Sequence, residues 1–122
     1  MKKNLLVLPL FAAIGLGLTL AGHSLIGHWN VAYGNGPKGH MVFRNNGTFE
    51  ATFDGQQWKV GGQYKVVGNT AAFADSSCGL GYWGKYKMTW LSDDSVSATV
   101  VEDTCSGRRG NADGAVIVRA KR

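Results

Sequence analysis

At 122 residues the chain has room for one domain. A composition of 44% hydrophobic and 17% charged residues, with 18 Gly and 2 Pro, excludes a disordered chain, a collagen-like repeat and a coiled coil. The net charge of +5 is a mild basic excess. Met1-Lys2-Lys3 is a basic start, and Leu5 to Ala21 follows without a charge, ending in Thr19-Leu20-Ala21, a small-x-small cleavage pattern. This sequence of regions predicts a secretory signal peptide over residues 1–21. As a membrane span the apolar stretch is short and is interrupted by Pro9, Gly15 and Gly17. Leu20-Ala21-Gly22 resembles the start of a lipoprotein signal, but His23 stands where the acylated Cys is required. The expected product is therefore exported to the periplasm or the medium, monomeric and without a membrane span. Lys2 and Lys3 leave with the signal, which lowers the net charge to +3 and falls short of a nucleic-acid footprint.

Beyond the signal, alternating apolar and polar residues recur between turn signals. Predicted strands run from Ile26 to Tyr33, His40 to Arg44, Thr48 to Phe53, Gln57 to Val67, Thr70 to Ala74, Tyr82 to Leu91, Ser95 to Glu102 and Ala115 to Ala120. No stretch among them has a helical period, so the domain over residues 25–122 is expected to be all-β. Short links favour an eight-stranded antiparallel up-and-down meander, closed into a barrel that leaves no free edge. Alternation places Trp29, Val31, Met41, Phe43, Phe49, Ala51, Phe53, Trp58, Val60, Tyr64, Val66, Phe73, Tyr86, Met88, Trp90, Val96, Ala98 and Val100 inside. It places His28, Glu50, Lys59, Lys65, Lys85 and Lys87 outside.

Links in a meander alternate between the two ends of the barrel. The tight turns Asn45 to Gly47, Gly68-Asn69 and Ser92 to Asp94 close one end. The longer links form a mouth, and Cys78 and Cys105 both lie there. An exported chain with two cysteines is expected to bridge them. The bridge closes a loop of 28 residues; in the chain-entropy model that limits the unfolded ensemble by roughly 3–4 kcal/mol.

Gly27-His28-Trp29 opens the first strand, and Asn45-Asn46-Gly47-Thr48-Phe49 makes the second hairpin. Gly62-x-Tyr64-x-Val66 leads into Gly68-Asn69-Thr70, and Arg119 lies in the last strand. Together, in this order over most of residues 25–120, these motifs resemble those of small bacterial lipocalin-like (calycin-type) β-barrel domains. The resemblance implies that Arg119 packs across Trp29 at the closed end. It also implies an interior that can hold a small molecule.

The candidate chemistry lies at the mouth. Catalysis is not expected: the histidines are His23, His28 and His40. With the first hairpin centred near Gly36, His28 faces position 44 or 45 and not His40, which argues against a metal pair. No cofactor motif is present. The mouth and the inward face beneath it offer Lys38, Trp58, Trp83, Tyr86, Met88, Arg108 and Arg109 as ligand contacts. Arg108 and Arg109 would attract an acidic head, while the tail of a small apolar or amphipathic molecule would lie against Trp58, Tyr86 and Met88. In an alternative, Trp83 covers the disulfide and the arginines pair with Asp103 and Asp113. Two other functions stay open: an exported protein-binding module such as a protease inhibitor, and a structural barrel with a filled core. A cavity discriminates between them.

Overall fold

A computed structural model of the protein describes residues 19–20 and 23–121. The expected signal peptide lies outside the described residues except for Thr19–Leu20, which pair antiparallel with His23–Ser24. Eight strands form a closed barrel: β1 Gly27–Ala32, β2 Lys38–Phe43, β3 Thr48–Phe53, β4 Lys59–Val67, β5 Thr70–Asp75, β6 Gly84–Ser92, β7 Ser95–Glu102 and β8 Val116–Arg119. Each pairs antiparallel with its sequence neighbours, and β8 closes the ring by pairing with both β7 and β1. The architecture is the all-β meander that alternation dictates, because one face of every strand is apolar and has one interior to share.

Two sequence expectations are corrected here. The first hairpin is centred at Asn35, since Gly27 pairs with Phe43 and Ala32 with Lys38. Lys38 and Gly39, expected in the breaker, therefore extend β2, and His28 faces Val42 while His40 faces Asn30. The second correction is a short helix, α1 Ser106–Ala112, in the longest link, where no regular structure was expected.

Core and alternation agree for most inward positions. Trp29, Phe43, Phe49, Tyr64, Phe73, Tyr86, Met88 and Val96 are buried, joined by Leu25 and Ile117. Met41, Val60, Trp90 and Val100 are only partly buried at its margins. Trp58 departs further: it precedes β4 and is 54% exposed. The α-carbon of Gly62 meets the backbone of Ala74 and Asp75, where a Cβ would overlap. That glycine lets β4 and β5 approach.

Candidate functional site

The two ends of the barrel are built differently. At the closed end Trp29 is fully buried and its indole N–H donates to the Leu25 carbonyl at 2.8 Å. Arg119, paired with Trp29 in the β8–β1 register, lays its guanidinium 4.3 Å from the indole centroid. Its Nε donates to Asp94 Oδ1 at 3.1 Å, and its terminal nitrogens donate to the carbonyls of Ile26 and Ser24. One side chain thus ties the last strand, the β6–β7 turn and the chain entering β1, with cation–π attraction beneath it. Trp90 meets the Trp29 ring edge-on at 6.0 Å, and His23 stacks on Trp90 at 4.3 Å.

The mouth is organised around buried charges. Cys78, in the β5–β6 link, is bonded to Cys105, which caps the start of α1. Asp103 is 4% exposed and lies against the Gly84 α-carbon, where a Cβ would collide with the carboxylate. Its Oδ1 accepts from the Cys105 N–H at 2.9 Å and from Arg108 Nη2 at 3.0 Å. Its Oδ2 accepts from Arg108 Nε at 2.7 Å and from the Tyr86 hydroxyl. Arg108, 7% exposed, also points Nη1 at Asp75 Oδ2, 3.4 Å away, and its guanidinium lies over Tyr82. Asp75 is 2% exposed, and its Oδ1 accepts from both the N–H and the hydroxyl of Ser77.

These contacts set the ionisation of the cluster. Burial opposes charge on Asp103, but the Arg108 fork, the Tyr86 hydroxyl and the Cys105 N–H outweigh it and hold the carboxyl below its ordinary range. Burial likewise opposes charge on Arg108, and the bonds and charges of Asp103 and Asp75 reverse that, raising its pKa. The Tyr86 phenol is pushed well above its ordinary range by burial first, then by its bond to Asp103.

Under this cluster the barrel interior holds a cavity of about 200 Å³. Met41, Phe49, Met88, Val96, Ala98 and Ile117 are among the apolar residues around it, while Asp75, Ser77, Arg108 and Asn111 bring polar groups to it from the mouth. Helix α1 covers this end. It is held by the disulfide, by the Arg108 fork and by the Gly34 N–H, which donates to the Asn111 carbonyl at 2.7 Å.

The candidate ligand residues divide around this cavity. Trp58, Met88 and Arg108 line it, Trp58 resting on Phe53 at 4.9 Å. Tyr86 supports it from behind through Asp103. Lys38 and Arg109 are exposed and do not line it. Trp83 is turned to the outside of the barrel, with Lys65 Nζ 4.3 Å from its ring centroid. The charge on which an acidic-head expectation rests is thus already used within the fold: Arg108 is paired with Asp103 and Asp75. Of the alternative's pairs, Arg108–Asp103 is present; among the described residues Asp113 pairs with no arginine, and its carboxylate accepts the Val100 N–H at 2.9 Å. The histidines stand apart from the cavity lining, His23 at the closed end and His40 near Asp54 on the outer face.

Sequence reading did not assign Asp75 a partner. Its signal was parity: Asp75 continues the inward positions Ala71 and Phe73 of β5, and an acid at an inward strand end requires a buried partner. No protein-family model, curated protein or solved structure matches the chain.

Proposed function

We propose that this chain is an exported, lipocalin-like barrel of the calycin type that binds a compact apolar molecule in its interior. It acts in the periplasm or the medium, and its role is binding rather than catalysis. The observation that carries this reading is the cavity of about 200 Å³ beneath a polar mouth. Closely packed interiors rarely contain voids of that size, and an apolar cavity of about 150 Å³ accepts benzene. A filled structural barrel fits this interior less well. The volume also favours a ligand little larger than a substituted benzene over a fatty acid or retinoid. Export is supported by the Cys78–Cys105 bond, and the lipocalin likeness by the Trp29–Arg119 seal on a closed eight-stranded barrel. The polar groups around the cavity bond to one another, which fixes its shape.

Calorimetric titration of the protein with ethylbenzene tests the reading. Saturable one-to-one binding is expected, and Ala98→Phe, which projects a ring into the cavity, is expected to abolish it while the protein stays folded. A folded protein that binds neither ethylbenzene nor benzene would overturn the proposal.

A further inference from the structure

Resting on that reading, we infer that the cavity selects ligands with a hydrogen-bond-donating, preferentially cationic head: a compact arylalkyl amine, bound through Asp75. The three buried charged side chains at the polar end are two carboxyls and one guanidinium, so the base does not outnumber the acids. Their bonds are unequally complete. Both Asp103 oxygens accept two short bonds each. Arg108 spends Nε and Nη2 on that fork. Asp75 Oδ1 is occupied by Ser77. Among the described residues Asp75 Oδ2 has only Arg108 Nη1 at 3.4 Å, and that same nitrogen also lies 3.5 Å from the Tyr82 carbonyl. A carboxylate oxygen has room for two good donors, and leaving it short in a buried site is costly. Asp75 lines the cavity, so a ligand donor can supply the missing bond.

The other groups at this end agree. Ser77 has its hydroxyl committed to Asp75, and Arg108 is held on Asp103 in a bidentate grip that an incoming anion would have to break. A carboxylate head would therefore meet Asp75 without a free cation beside it. An ammonium head would meet a carboxylate whose Oδ2 is underused, with its aryl body against Phe49, Met88 and Ile117. Charge-assisted bonds of this kind carry the larger share of discrimination among ligands of one shape.

The test is a matched series on the unmodified protein at neutral pH: ethylbenzene, phenethyl alcohol, phenethylamine and phenylacetate, titrated calorimetrically. Phenethylamine is expected to bind at least about tenfold more tightly than ethylbenzene, with the alcohol between them and phenylacetate weakest. Asp75→Asn is expected to bring the ratio of amine to ethylbenzene affinity, both measured on the same variant, down to about one. Phenylacetate binding as well as or better than phenethylamine would overturn the inference and leave the apolar cavity reading standing. So would equal affinities for the amine and ethylbenzene. Failure of the whole series, ethylbenzene included, would instead reject the cavity reading on which the inference rests. The unmodified protein decides the order of affinities even if Asp75→Asn does not fold.

Discussion

Arg108→Met is expected to destabilise the protein by about 3–5 kcal/mol at neutral pH, because it strands two buried carboxyls, Asp75 and Asp103, without their cation. Asp103→Asn is expected to cost less, since Arg108 keeps Asp75 as a partner. The unmodified protein and Arg108→Met should also respond to acid in opposite directions. In the unmodified protein the folded-state pKa of Asp103 is depressed. Its contribution is therefore complete above the unfolded carboxylate value of about 3.9 and is lost as pH falls through the lower folded value. Without the guanidinium, burial still opposes charge on Asp103 and its main counter-charge is gone, so its folded pKa rises. Stability of the variant should then decrease as pH rises above about 4. Urea unfolding midpoints measured at pH 4 and pH 7 would show the Asp103 contribution of the parent nearly unchanged and the variant losing stability as pH rises. A variant that loses under about 1 kcal/mol, or an equal amount at both pH values, would mean that the cluster is not an energetic unit.

The closed end should be as sensitive for a different reason. Trp29 has no exposed surface, and truncating a large core aromatic costs about 3–5 kcal/mol through lost burial and the cavity left behind. Trp29→Ala also deprives Trp90 of its edge contact and Arg119 of its platform. Arg119→Ala should cost about 1 kcal/mol, since the guanidinium is partly exposed and much of its attraction is screened. Equilibrium urea unfolding of both variants is the measurement. A Trp29→Ala loss below about 1.5 kcal/mol would show that the indole does not anchor the core.

The residues explain why some of this was legible in the sequence and some was not. Strands β3 and β7 were readable to the residue, because their alternation is clean and their ends are marked by Gly, Asn or Asp. The Trp29–Arg119 contact was legible as a resemblance, since a Trp opening the first strand and a base in the last one become neighbours once the barrel closes. The first hairpin was misplaced because Lys38-Gly39 resembles a breaker; Gly39 is there because the backbone of Thr52 passes its α-carbon. Helix α1 carries Gly107 and Gly110 and has weak intrinsic propensity. Its surroundings specify it: the disulfide at its cap, the Asp103 carboxylate on the Cys105 N–H and the buried Arg108 on its first turn. The Asp103 contacts are local, but the disulfide joins residues 27 apart and Arg108 reaches Asp75, 33 residues away, so no local window contains the whole set. Sequence leaves Arg108 either a free cation or a partner of Asp103; the fold has the Asp103 pair and adds Asp75, which lies too far along the chain to be read.

The account turns on whether the barrel interior is open to a guest. Xenon-pressurised crystals of the protein measure this directly, because xenon enters dry apolar cavities without needing a polar partner. A xenon site is expected inside the barrel among Phe49, Met88, Val96, Ala98 and Ile117, below the Arg108–Asp75 pair. A crystal structure with no xenon there, and with Met41, Phe49 and Met88 packed across the space, would contradict it.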